Sequence, residues 1–191
     1  MADDTARAAY VASDLLAQAE HSEDASAILL TTSEMLAREV IRELAIQAGK
    51  LSRAKVIEKS FARYGAIIIV NDIEEACAIV NDLAPDHLEI TARDEEGIAS
   101  RIRHAGAIFF GPHSPEAVGD YLAGPSHVLP TGGAARFSSG LGVSDFLKRT
   151  NTVKFSAAEL KRTAPMIATL ANAEGLDAHG RSVLIRLEEN G

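Results

Sequence analysis

Four short apolar runs, AILLTT at 27–32, AIIIVND at 66–72, HLEIT at 87–91 and AIFFG at 107–111, are separated by stretches whose apolar residues recur at helical spacing. No other feature of the chain constrains its fold as tightly. Strand-like runs divided by helices predict βαβ units, and hence a mainly parallel sheet covered on both faces with right-handed crossovers. The expected class is α/β, doubly wound. Helices are expected at 6–21, from a Ser33 cap to a Gly49 stop, around 56–65, at 72–85 and at 94–106. In such sheets ligands sit beyond the carboxyl ends of the strands, where 71–72, 91–92 and the segment after Gly111 emerge.

After Gly111 the alternation stops. A Gly/Pro-rich stretch running to about Val143 reads as a long ordered loop, of the kind that usually makes contacts or carries function. Two more helices follow, SAAELKRTAPMIATLANAEG and LDAHGRSVLIRLEEN, with Pro165 expected to kink or restart the first. The chain therefore divides into an α/β domain at 1–150 and a small C-terminal helical tail at 151–191.

Composition narrows the function. A formal charge of −8 leaves no cationic surplus to neutralise phosphates, so nucleic acid is not an expected partner. No run approaches the ~18 apolar residues of a membrane span, and MADDTARAAY lacks the basic-then-apolar pattern of a secretory leader, so no membrane partner and a cytoplasmic location are expected. The single cysteine, Cys77, sits in DIEEACAIV and reads as a small buried apolar residue.

Polar residues that can carry chemistry fall into four groups. Gln18 and His21 lie three apart on a helix and so point toward one spot. Asp86 and His87 sit at a helix-to-strand junction, where a carboxylate and an imidazole can do acid/base work or simply cap a turn. Asp120 and His127 bracket YLAGPS and suit a metal such as zinc, or a hydrogen-bonded turn. Glu174 and His179 lie where one tail helix ends and the next begins. CxxC, HExxH and P-loop motifs are absent, and GLGVSDF holds only a lone GxG. From these residues alone the mechanism stays open.

The segments LLAQAEH, RYGAIIIV, APDHLEI, SPEAVGDYLAGPSHVLPTGGAARFSSGLGVSDFLKRT and LANAEGLDAHGRSV, in that order, resemble the carboxy-terminal half of histidinol dehydrogenases. The resemblance implies oxidation of L-histidinol to L-histidine through histidinaldehyde, with NAD as oxidant, in the last steps of histidine biosynthesis. It further implies a Zn2+ site at Gln18, His21 and Asp120, completed by His179 from the other subunit of a homodimer whose helical tails are exchanged. Asp86 and His87 would be the catalytic pair. Substrate would be bound by Gln18, His21, His87, Asp120, His127, Glu174 and His179. Two positions depart from the family pattern: Asp86 stands where it has Glu, moving the carboxylate by about one methylene, and Ser126 where many members have Asn. The family's full chain is more than twice this length and its NAD-binding residues lie in the other half. The doubly wound sheet is accordingly expected to be incomplete and the chain alone inactive. Two other readings are a dehydrogenase of the same fold acting on another small alcohol, and a non-catalytic dimerisation module.

Overall fold

A computed structural model describes residues 1–188. Among them the chain divides into two units, Met1–Phe146 and a second beginning at Leu147. The first is α/β. Its strands are β1 (Ala27–Thr31), β2 (Gly65–Ile69), β3 (His87–Ile90) and β4 (Ala107–Phe110), and its helices are α1 (Ala8–Ala19), α2 (Glu34–Ala48), α3 (Ala54–Tyr64), α4 (Ile73–Leu83), α5 (Glu95–Ala99) and α6 (Glu116–Tyr121).

Every pairing is parallel: β1 with β2, Leu29 opposite Ile67, and β3 with β4, Leu88 opposite Ile108. The sheet is built as these two pairs rather than as one continuous ladder. Met1–Asp3 lies between them, bridging Ala2 to both Thr31 and Thr91. Its backbone donates from Ala2 to Leu30 at 3.0 Å and from Asp3 to Thr91 at 3.2 Å, and Met1 accepts from Thr91 at 3.0 Å.

The period of two along each strand then sorts side chains between the faces. Leu29 packs with Ala12 of α1 and Leu36 and Val40 of α2. Its neighbour Leu30 joins Val70, Ala76, Cys77 and Val80 around α4, together with Leu88 and Ile90 of β3. With Leu88 and Ile90 committed to the α4 face, His87 and Glu89 fall to the opposite one, beside α1. That parity locates the candidate site.

Caps start the helices where the sequence places them. Ser33 Oγ accepts from the Leu36 N–H at 3.2 Å, and Asp72 from the Glu75 N–H at 2.8 Å, while Glu75 accepts in return from the Asn71 N–H at 2.8 Å. A core beneath α3 joins Ile57 to Leu16, Ala19 and Ala27. Because Ile57 is 1% exposed, Ile57→Ala is expected to cost about 2–5 kcal/mol, read in a urea titration as a lower midpoint at unchanged slope.

Two local expectations are corrected. The helix expected over 94–106 ends at Ala99, because the buried Asn81 side chain claims the backbone beyond it. Its Oδ1 accepts from the Arg103 and His104 N–H groups and its Nδ2 donates to the Arg101 carbonyl. The stretch after Gly111 is not loop throughout, since it contains α6 and single 3-10 turns at Ala134–Arg136 and Val143–Phe146.

In the second unit α7 (Ala157–Ala173) runs through Pro165 without a break, before α8 (Asp177–Glu188). The Thr163 and Thr169 hydroxyls donate to the Glu159 and Pro165 carbonyls one turn back, at 2.9 Å each. Gly180 of α8 lies against Ala171 of α7. The final residues of the expected tail, 189–191, lie outside the described residues. No described helix is long and apolar enough to cross a membrane.

Candidate functional site

Three elements bring chemistry to the α1 side of β3. Helix α1 buries Ala12, Leu16 and Ala19, and it brings Asp14 and Gln18 to the lining of a cavity. His21 follows the α1 cap and is exposed. The Arg53 guanidinium fixes the chain there, donating to the Glu20 carbonyl at 2.8 Å and the His21 carbonyl at 3.3 Å.

The second element is the junction from α4 into β3. Ala84 caps α4 in the left-handed region at φ 49°, which turns the chain sharply into Pro85, Asp86 and His87. Opposite it, Gly106 donates to the Pro85 carbonyl at 2.9 Å. A Cβ on Gly106 would stand 2.5 Å from the Asp86 carbonyl oxygen, so only glycine allows that approach.

Helix α6 is the third. A Cβ on Gly119 would come within 2.7 Å of the Phe109 ring, so glycine lets the helix sit directly on β4. The Glu116 N–H donates to Glu89 Oε1 at 2.8 Å. Glu116 and Asp120 are four apart on α6 and share a face. They converge with His21, one donor atom from each of the three lying within 4.8 Å of the others.

A cavity of about 520 Å³ adjoins this cluster, lined among others by Asp14, Gln18, Asp86, His87, Glu89 and Glu116. His21 and Asp120 lie outside its lining and join it through Glu116. The His87 ring lies 6.1 Å from that of Phe109. Burial pushes the His87 imidazole below its ordinary value, while the charges of Asp120 and Asp86 pull it partly back, so it is neutral and able to accept a proton at pH 7. Glu116 is buried, 8% exposed. Burial raises its carboxyl above the usual range, and a hydrogen bond to Asp120 adds to the effect.

Behind them, Asp14 and Glu89 are hydrogen-bonded carboxyls. Burial first, then the Asp14 charge and hydrogen bond, push Glu89 up to about 8. Folded protein thus holds a proton that the unfolded chain has already lost above its ordinary value near 4.5, and this contribution to stability disappears as pH rises through 8. The Met1 ammonium, which donates to the Glu89 carbonyl at 2.7 Å and is lowered to about 6 by burial, acts with the opposite sign. Glu89→Gln keeps a donor for Asp14 but does not titrate. Wild type is therefore expected to lose stability relative to Glu89→Gln between pH 5 and pH 8.5, by on the order of 1 kcal/mol or more, in paired thermal melts. A gap that stays constant with pH would contradict the shared proton.

Of the residues expected from sequence, Gln18, Asp86 and His87 line one cavity, and His21 and Asp120 meet beside it. His127 is exposed in the loop after α6 and is outside both groups. Glu174, the cap of α7, and His179, on α8, are exposed and belong to the second unit. Asp14, Glu89 and Glu116 were not anticipated. For Glu116 the signal was available, since SPEAVGD sets a carboxylate one helical turn before Asp120.

The family model for histidinol dehydrogenase matches residues 1–187. The chain belongs to the histidinol dehydrogenase family. A histidinol dehydrogenase from Nitrobacter winogradskyi is 52% identical over 187 residues, 98% of this chain and 44% of that protein. One from Halalkalibacterium halodurans is 51% identical over 189 residues, 99% of this chain and 45% of the relative. The crystal structure of histidinol dehydrogenase from Elizabethkingia anophelis superposes with a TM-score of 0.92 at 36% identity, over 98% of this chain and 43% of that one. The chain thus spans less than half the length of the histidinol dehydrogenases it matches, and its α/β fold is theirs.

Proposed function

We propose that this chain is the zinc- and substrate-binding half of an NAD-dependent histidinol dehydrogenase, a cytoplasmic homodimer. The observation that carries the reading is the convergence of His21, Glu116 and Asp120 donor atoms within 4.8 Å beside a cavity lined by Asp86 and His87, in a chain of this family. The donors are oxygen and nitrogen without sulfur, a set that suits zinc. Gln18, His21 and Asp120 would hold the ion, with the partner subunit's His179 completing the set through exchanged helical tails. Zinc there would supply a Lewis acid to the bound substrate.

The chain's own residues do the rest. A cavity of about 520 Å³ suits a molecule of histidinol's size. His87 accepts the hydroxyl proton as the carbinol C–H bond breaks and its electron pair leaves as hydride to NAD, giving histidinaldehyde, NADH and a proton. Asp86 would then help activate the water that adds to the aldehyde, and hydride transfer from the hydrate to a second NAD would yield L-histidine, a second NADH and protons. NAD is held by the half of the enzyme that this chain does not span. His127 and Glu174 would also contact substrate, as the resemblance implies.

Joining the chain to the amino-terminal half of a relative tests the reading. NADH formation that depends on histidinol and stops with a zinc chelator is expected. Turnover of other small alcohols but not histidinol would overturn it.

A further inference from the structure

His87 Nε2 and Glu116 Oε1 face each other at 3.5 Å. Both atoms are buried and neither has a hydrogen-bond partner among the described residues. An imidazole nitrogen and a carboxyl oxygen so placed are one small shift from the 2.7–3.2 Å of a formed hydrogen bond. Hydrogen bonds of this kind are commonly long before substrate binds and close in the loaded site.

Glu116 is held for the task. Its backbone is bonded to Glu89, its helix rests on Phe109 through Gly119, and its carboxyl is bonded to Asp120.

We propose that Glu116 positions His87, its Oε1 accepting the Nε2 hydrogen and so holding the neutral imidazole in the tautomer whose Nδ1 takes the substrate proton. The inference rests on His87 being the base and adds which ring nitrogen works and what aims it. On proton transfer the hydroxyl hydrogen moves to Nδ1, the hydride leaves to NAD, and the resulting imidazolium keeps its Nε2–H toward Glu116.

Long-range 1H–15N spectra of the histidine-labelled full chain at pH 8 read the tautomer directly, without substrate or metal. Wild type should show His87 protonated on Nε2 with a slowly exchanging ring N–H. Glu116→Gln, which keeps an acceptor oxygen, should preserve that pattern, and Glu116→Leu should abolish the slow exchange. In the assembled enzyme Glu116→Leu should lower kcat about 100-fold with KM and zinc content unchanged, and Glu116→Gln should restore most of the rate. A wild-type proton on Nδ1, or an unchanged ring signal in Glu116→Leu, would overturn the proposal. So would loss of zinc on that substitution, since Glu116 would then be a metal ligand. These outcomes are distinct from failure of the functional reading, which would appear as an assembled wild-type enzyme that does not oxidise histidinol.

Discussion

His87→Gln, introduced into the enzyme assembled with its NAD-binding half, should lower kcat by about 100- to 10,000-fold, the range a positioned general base contributes. The expectation follows from three observations. His87 lines the cavity, burial keeps its imidazole neutral, and the parity of β3 turns it away from the α4 core that claims Leu88 and Ile90. Glutamine fills much of the same space, so folding and KM should hardly move. The pH profile is a second check. A base works only unprotonated, so the rate falls as pH drops through the His87 value. With that value below 6.5, the acid limb of kcat/KM should lie below pH 6.5 and vanish in His87→Gln. An unchanged kcat would remove His87 from the chemistry.

Asp120→Ala should weaken zinc binding by at least about 100-fold, more than the 10- to 100-fold that outer-shell partners carry. Asp120 lies on the second turn of α6, and its carboxylate is one of three groups whose donor atoms come within 4.8 Å. The anchors of that helix, the Glu116 N–H on Glu89 and Gly119 against Phe109, do not involve the Asp120 side chain. The variant should therefore melt like metal-free wild type while failing to gain stability from zinc, a separation that competition with a chromophoric chelator and paired melts would read. Equal zinc affinity in both proteins would exclude Asp120 as a ligand.

The strands were legible because four apolar runs carry their own period, and the cap at Ser33 because its side chain acts within a few residues. The end of α5 was not, since it is set by Asn81, some twenty residues away in sequence. Nor was the seam of the sheet, which depends on Ala2 meeting both Thr31 and Thr91. Helix α6 was hidden by its glycine, and that glycine proves to be what lets it lie on Phe109.

At the site, Gln18 with His21 and Asp86 with His87 were visible as close pairs of chemically able residues. What sequence could not supply was their convergence with α6, because that requires α1, β3 and α6 to share one face. Asp14 and Glu89 are unremarkable in sequence and acquire a shared proton only when folding buries them side by side.

The central claim, that this chain carries the metal and the substrate of a histidinol dehydrogenase, is tested most directly by zinc affinity measured with and without histidinol. If the ion and the substrate share a site, histidinol tightens zinc retention. Saturating both, each near 100 times its Kd, should then stabilise the fold by more than the roughly 2.7 kcal/mol expected of one such ligand alone. Zinc affinity and melting temperature that ignore saturating histidinol would contradict the claim.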